Sequence, residues 1–102
     1  MKLTEEMKQV IQDAPYISLV TMNGDGSSHP IIVGGKSLDG DNIAIGIYKM
    51  EVTQKNLEND SKAWVLASTV NESGPKGFRF VGTALTNDDK VVFTASDAKA
   101  LI

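Results

Sequence analysis

The chain is a series of short apolar segments separated by glycine-containing turns, and this pattern leaves few architectures open. Strand-forming residues are concentrated in segments 16–21, 28–33, 43–47, 63–68 and 78–84. Segments 23–26 and 39–42 contain the Asn, Asp and Gly residues of tight hairpin turns, because glycine adopts positive φ without strain. Many short strands and few helices predict a mainly β fold with flanking helices, a small antiparallel β-barrel with Greek-key-like connections.

Two segments carry helical signals. Apolar residues between positions 7 and 14 recur at the spacing of one helical face, with Thr4 as the expected N-cap and Pro15 as the stop. This pattern predicts a first helix over about residues 3–13. A second, shorter helix is predicted over residues 53–59, with Thr53 as its N-cap.

The first three strands are expected to form an antiparallel meander, in which the 39–42 turn leads from strand two into strand three. Residues 71–77 are expected to form a loop between the fourth and fifth strands. Beyond Asn87 the pattern is ambiguous. Residues 91–93 favour a strand, whereas residues 96–101 resemble the start of a helix.

Strand three alternates between large and small side chains. Ile43, Ile45 and Ile47 share one face, which we expect to enter the barrel core, while the opposite face is small enough for a flat ligand, a strand or a second subunit to approach. Trp64 and Phe80 are expected to fill the core or a dimer interface.

A length of 102 residues predicts one domain over 1–102, with a modest core that dimerisation would enlarge. The acidic, amphipathic N-terminus lacks the apolar core of a secretory signal, which predicts a cytoplasmic protein. No apolar run approaches the roughly 20 residues that span a bilayer, so no membrane partner is expected. A net charge of −3 and scattered Lys and Arg residues argue against a nucleic acid partner.

The sequence contains no cysteine, so any redox chemistry must come from a bound cofactor. The Asp and Glu residues cluster in turns without useful ligand spacing, and we expect no metal site. The sequence contains neither a Ser/His/Asp order nor paired carboxylates that would indicate hydrolysis. We therefore assign no catalytic residue.

The segment from strand three into the second helix is the best candidate for a binding site. Thr53 as N-cap, Asn56 at the third helical position, and nearby Lys49 and Lys55 would together suit an anion, most simply a phosphate. The simpler alternative is that Thr53 only caps a surface helix. These residues alone leave both interpretations open.

The order of these elements resembles that of the pyridoxamine 5′-phosphate oxidase-like FMN-binding split barrels, and most closely the small FMN-binding proteins of that group. The shared order is a helix, a hairpin with Pro30 in its second strand, an Asp-Gly turn, an apolar third strand, a Thr-x-x-Asn-Leu helix and a fourth strand. The resemblance runs from about His29 to Ser68 and returns at residues 77–78 and 82–84. It implies a split β-barrel with FMN as its cofactor.

The resemblance implies that the FMN phosphate lies beside the second helix, in a Lys-Thr-x-x-Asn context. Thr53 and Asn56 match this context, but Val52 replaces the lysine. The loss of one charge-assisted contact weakens binding by roughly tenfold to a hundredfold, unless Lys49 or Lys55 replaces it or strand two supplies charge through Lys36.

The resemblance also implies that the isoalloxazine ring lies against the backbone of strands two and three. The corresponding residues are Pro30, Ile31, Ile32 and Val33 in strand two, and Ile47 and Tyr48 at the end of strand three. Tyr48 is the aromatic residue most expected to touch the ring.

The function that the resemblance implies is that of a flavoprotein in electron transfer or flavin-linked reduction. Such a protein is expected to be a homodimer with the cofactor near the subunit interface, and to have a small redox partner. The alternative is a non-catalytic barrel that has lost FMN or exchanged it for F420, haem or another ligand, and serves as a sensing or interaction module.

Overall fold

Seven strands and two helices make up most of the chain in a computed structural model that describes residues 1–102. In chain order they are α1 (Glu5–Asp13), β1 (Ile17–Met22), β2 (Ser28–Val33), β3 (Lys36–Asp39), β4 (Asn42–Gly46), α2 (Glu51–Asn59), β5 (Lys62–Asn71), β6 (Gly74–Asn87) and β7 (Lys90–Ala100). Neither helix has the length and apolar composition needed to cross a membrane.

All seven strands form one antiparallel sheet in the order β2-β1-β5-β6-β7-β4-β3. The sheet curls into a half-barrel, and its two edge strands, β2 and β3, are consecutive in the chain. Gly34 and Gly35 join these edges, and the Gly46 N–H donates to the Gly35 carbonyl at 2.9 Å. The predicted mainly β, antiparallel split-barrel fold is therefore confirmed.

The predicted meander of three strands is wrong. Strand β2 ends at Val33 and pairs only with β1, while a separate strand, β3, forms the hairpin with β4. The physical reason lies in Gly34 and Gly35, which join β2 to β3. Because neither has a side chain that must be buried, the chain can pass there from one edge strand of the sheet to the other. The hairpin turn at residues 39–42 is present, with Gly40 at φ 61°.

The C-terminal half contains the longest strands. Strands β5 and β6 continue almost to their turn, so the predicted loop over 71–77 is reduced to Glu72 and Ser73, with Gly74 at φ 101°. Strand β7 lies between β6 and β4, and the alternative of a helix over 96–101 is wrong. Val91, Phe93 and Ala95 alternate inward along β7, which is the period of a strand.

The core lies inside the curl of the sheet and beneath α1, which packs against β3, β5 and β6. Ile43 and Ile45 are buried in it as predicted, and so is Phe80. Trp64 points to the outer face instead and is half-buried. Strand β6 has a bulge between Val81 and Gly82, where a Cβ on Gly82 would lie 2.0 Å from the Thr94 carbonyl oxygen.

The two helices begin differently. Thr4 is the N-cap of α1, as predicted, and its Oγ1 accepts from the Met7 N–H at 3.1 Å. Helix α2 begins at Glu51 with Met50 as N-cap, so the prediction that Thr53 caps it is wrong. Met50 is buried, and this draws the chain inward before Thr53, which becomes the third helical residue. Asn56 is consequently the sixth helical residue and not the third.

Candidate functional site

The first turn of α2 is open. The N-cap Met50 has no side-chain oxygen, and no side chain caps the helix. Gln54 is the first residue of α2 whose N–H bonds to a backbone carbonyl, that of Met50 at 2.9 Å. The preceding N–H groups of Glu51, Val52 and Thr53 therefore point out of the helix start, where the helix dipole is positive.

Thr53 is completely buried at this helix start, with 0% of its surface exposed. Its hydroxyl oxygen is the one buried side-chain polar atom in the chain that has no hydrogen-bond partner. A buried donor or acceptor without a partner costs about 1–3 kcal/mol, so such an atom requires an explanation.

Asn56 lies one turn after Thr53 on the same face of α2 and is 7% exposed. Its Nδ2 donates to the Thr21 Oγ1 at 3.1 Å and to the Asn23 Oδ1 at 2.9 Å. An amide nitrogen has two hydrogens, and both are donated within the chain. Asn56 therefore holds α2 against β1 and the β1–β2 turn, and has no hydrogen left for an anion.

The charged residues around α2 are exposed. Lys49 has a left-handed backbone, with φ 49°, and its ammonium lies 5.7 Å from the centroid of the Tyr48 ring. Lys55 is exposed on α2, and Val52, at the position of the lysine in the related motif, is 50% exposed. Glu51 adds a negative charge to the first turn.

A cleft of about 330 Å³ lies beside the helix start, between the end of β2 and the segment that follows β4. Its volume is at the lower end of the range for ligand pockets. Ile32, Val33, Ile47 and Tyr48, four of the predicted ring-contact residues, line it together with Gly34, Gly35, Gly46 and Met50. Met50 is also the N-cap of α2, so the cleft ends where the helix begins.

The other two predicted ring-contact residues lie outside this cleft. Pro30 is exposed on the outer face of β2, and Ile31 points inward and packs against the core. Tyr48 is 78% exposed, so the single chain leaves its ring largely uncovered.

A larger cavity, about 520 Å³, lies beside β3, β4 and the β6–β7 turn. Asp39, Asp88 and Asp89 line it, with Lys90 as the only cation. Three carboxylates repel a phosphate, and no group of His, Cys, Asp or Glu residues is arranged to hold a metal ion. The cleft beside α2 is therefore the better candidate for an anionic cofactor.

The outer face of the sheet carries an apolar surface next to the cleft. The strand register aligns Pro30, Val20, Trp64 and Val81 in one row across four strands. The next row contains Ile32, Ser18 and Leu66 and ends at the charged Arg79 on β6. Ile32 is 69% exposed and lines both the cleft and a second, mostly apolar groove of about 250 Å³ on this face. Ile32 therefore forms a wall that the cleft and the groove share.

The β1–β2 turn contains polar contacts that the sequence pattern did not reveal. The Ser27 Oγ donates to the Asp25 carboxylate at 2.6 Å, and the Asn23 Nδ2 donates to the Ser27 Oγ at 3.0 Å. The hydroxyl and backbone N–H of Ser27 hold the pKa of Asp25 below its usual range. The sequence predicts only a turn at residues 23–26, because nothing in local spacing indicates that Asn23 contacts Asn56.

Comparison with known proteins identifies the fold. No protein-family model and no curated protein sequence matches the chain. Among solved structures, HupZ of Group A Streptococcus is 19% identical, with a TM-score of 0.79 over 97% of this chain and 94% of that one. A putative pyridoxamine 5′-phosphate oxidase from Lactobacillus delbrueckii gives the same identity, TM-score and coverage.

An FMN-binding protein from Syntrophomonas wolfei is also similar, at 13% identity and a TM-score of 0.72 over 93% of this chain and 83% of that one. These identities are low, but each alignment covers more than nine-tenths of this chain. The chain therefore has the fold of the pyridoxamine 5′-phosphate oxidase-like split-barrel proteins.

Proposed function

We propose that the chain is an FMN-binding flavoprotein whose α2 N-terminus holds the cofactor phosphate. The observation that carries this proposal is the buried, unpartnered hydroxyl of Thr53 at an uncapped helix start. A phosphate oxygen accepts hydrogen bonds from a hydroxyl and from free backbone N–H groups, and it is favoured by the positive end of the helix dipole. Phosphate binding would therefore remove the cost of the unpartnered atom.

The phosphate contacts in this proposal come from three sources. The backbone N–H groups of residues 51–53 and the Thr53 hydroxyl donate hydrogen bonds, and Lys49 and Lys55 supply charge. The two lysines compensate for Val52, and the exposed Glu51 opposes them. Asn56 contributes by anchoring α2 and not by donating to the phosphate, because both of its amide hydrogens are already used.

The isoalloxazine ring in this proposal occupies the cleft beside α2. Ile32, Val33, Ile47 and Tyr48 offer apolar contacts to the ring faces. Strand β2 is an edge strand, so backbone polar groups on its open side, at Ile32 and Val33 beside the cleft, are free to bond the polar edge of the ring. When bound, FMN supplies the electron-transfer chemistry, and the chain supplies binding, orientation and environment.

A second copy of the chain is the proposed occupant of the outer apolar face. The face is continuous with the cleft through Ile32, so a subunit seated there would lie against the cofactor and cover surface that the single chain leaves open. Half-buried Trp64 and Leu66 lie at its centre, and central aromatic and aliphatic residues dominate the energy of interfaces.

Sedimentation velocity tests the dimer. The wild type is expected to sediment as a dimer and Leu66→Asp as a monomer, because the substitution buries a charge in the interface. Leu85→Asp is the matched control, since Leu85 is an exposed leucine outside the apolar rows. A monomeric wild type, or a Leu66→Asp variant that stays dimeric, would contradict this part of the proposal.

The test of the proposed cofactor is the visible spectrum of the freshly purified protein, followed by titration of FMN with flavin fluorescence as the readout. A yellow protein, or saturable quenching with a Kd in the micromolar range or tighter, is the expected result. Colourless protein with no saturable FMN binding would overturn the proposal. Saturable binding of the deazaflavin F420 without FMN binding would overturn it as well.

A further inference from the structure

The side-chain hydrogen bonds between α2 and the rest of the chain all come from one residue, Asn56. No salt bridge involves α2 either. Asn56 lies three residues after Thr53, on the same face of the helix, so the bonds that fix Asn56 help buried Met50 and Leu57 to set the rotation of α2. They thereby help to set the position of the Thr53 side chain. The partners of Asn56 therefore influence the geometry of the helix start.

These partners belong to a directional chain of hydrogen bonds that begins at Asp25. An ionised carboxylate can only accept, so the Ser27 hydroxyl must give its hydrogen to Asp25, at 2.6 Å. The Ser27 oxygen then accepts from the Asn23 Nδ2 at 3.0 Å, and this turns the Asn23 Oδ1 toward α2. The Asn23 Oδ1 accepts from the Asn56 Nδ2 at 2.9 Å. The exposed carboxylate thus determines which way the buried Asn56 amide faces.

The outer end of this series of hydrogen bonds is fixed by the backbone of the β1–β2 turn. The Asn23 N–H donates to the Ser27 carbonyl at 2.8 Å, and the Gly26 N–H donates to the Asn23 carbonyl at 3.0 Å. The Ser27 N–H also donates to Asp25 at 3.0 Å. The backbone of the turn therefore holds Asn23 and Ser27 in place without help from α2. Its inner end is Thr21, which is fully buried in β1 and accepts the other Asn56 hydrogen.

We propose that Asn23 and Ser27 are positioning residues for the cofactor phosphate, acting through Asn56 on the N-terminus of α2. This inference rests on the proposed function, since it assigns a role toward the phosphate that the α2 N-terminus would bind. Neither residue touches the cofactor. Their effect is confined to the phosphate end, because the cleft proposed for the ring is lined by β2 and the segment after β4, and not by the turn.

Riboflavin is the probe that separates the two ends of the ligand, because it has the ring of FMN and lacks the phosphate. Kd values for FMN and for riboflavin are measured by fluorescence titration of the wild type, Asn23→Ala and Ser27→Ala. Ser27→Thr keeps the hydroxyl and is the conservative control. Thr94→Val is the control for a lost side-chain bond elsewhere, since it breaks the Thr94–Asn42 bond of 3.1 Å. Thermal unfolding establishes that each variant folds.

We expect the wild type to bind FMN more tightly than riboflavin. Asn23→Ala should raise the Kd for FMN about twofold to tenfold, which is the equilibrium effect of one lost hydrogen bond. The Kd for riboflavin should stay within about twofold of the wild-type value. Ser27→Ala should raise the Kd for FMN by less, because Ser27 is exposed and bonds Asn56 only through Asn23. Ser27→Thr and Thr94→Val should have the Kd values of the wild type for both ligands.

Failure of the phosphate site and failure of the positioning role give different results in this experiment. A wild type that binds FMN and riboflavin equally would overturn the phosphate site, and this inference with it. A wild type that prefers FMN, with Asn23→Ala and Ser27→Ala variants that keep the full preference, would overturn the inference and leave the phosphate site standing. Equal weakening of both ligands would also overturn the inference, because it would indicate a general loss of structure.

Discussion

The two helices of this chain begin in opposite ways, although each has a threonine in its first turn or at its cap. At α1, Thr4 lies outside the helix, and its hydroxyl bonds the Met7 N–H at 3.1 Å. At α2, Thr53 lies inside the helix, and its hydroxyl is buried and has no partner. The first turn of α1 also has two acidic residues, against one in α2.

This difference shows that the fold satisfies one helix start and leaves the other open. At α1 the Thr4 cap accepts from the Met7 N–H, and the carboxylates of Glu5 and Glu6 already favour the positive end of the helix dipole, so α1 is less suited to an anion. The donors of α2 are unmatched and adjoin a cleft lined by apolar residues. The open start costs stability in the free chain, and a bound phosphate would recover that cost.

The largest effect is expected from Thr53→Val. The substitution removes the hydroxyl proposed to bond the phosphate, and a charge-assisted bond of this kind contributes about 1.5–3 kcal/mol, or roughly tenfold to a hundredfold in the Kd for FMN. The unfolding free energy without FMN should not fall, because the removed atom has no partner. Chemical denaturation and FMN titration measure the two quantities.

Thr53→Ser is the matched control for this prediction, because it keeps the hydroxyl. It should retain most of the FMN affinity. A Thr53→Val variant that binds FMN as tightly as the wild type would show that the hydroxyl plays no part in binding.

Val52→Lys should strengthen FMN binding by about tenfold, because it adds a cation at the open helix start. The same lysine opposes the helix dipole and should lower the unfolding free energy of the free chain by about 0.3–1 kcal/mol. The matched control is Gln12→Lys on α1, at an exposed position that does not line the cleft. Equal gains from both substitutions would mean that net charge, and not position, is responsible.

Thr4→Ala should have the smallest effect on the ligand and a clear effect on the fold. Loss of the α1 N-cap should lower the unfolding free energy by about 1 kcal/mol, as measured by urea denaturation. The Kd for FMN should stay within about twofold of the wild type. A change in FMN affinity as large as that of Thr53→Val would remove the distinction between the two helix starts.

The sequence predicted the parts of the fold that depend on local periodicity. The alternating isoleucines identified β4 and its inward face, and Thr4 identified the start of α1. The position of β3 and the place of β7 between β6 and β4 were missed. Both depend on which strands pair across the sheet, and such pairing is set by packing of the whole chain and not by spacing within one segment.

The structure corrects the local roles predicted for Thr53 and Asn56, while their part in binding a cofactor stays a prediction. Thr53 and Asn56 were selected from their spacing, but the helix starts two residues before Thr53, so the cap assignment failed. Asn56 bonds to Thr21 and Asn23, which lie 35 and 33 positions earlier in the sequence, and no local pattern indicates such contacts. The ring-contact residues at 32, 33, 47 and 48 line one cleft, and whether they contact a flavin stays a prediction.

Binding of the FMN phosphate by the open N–H groups of α2 can be followed through backbone amide NMR shifts during titration. We expect large downfield proton shifts for the amides of Glu51, Val52 and Thr53 with FMN, and none of similar size with riboflavin. The Met7 amide, already bonded to Thr4, should not move with either ligand. Equal shifts at residues 51–53 with both ligands, or none with FMN at saturation, would show that the phosphate does not bind at this helix start.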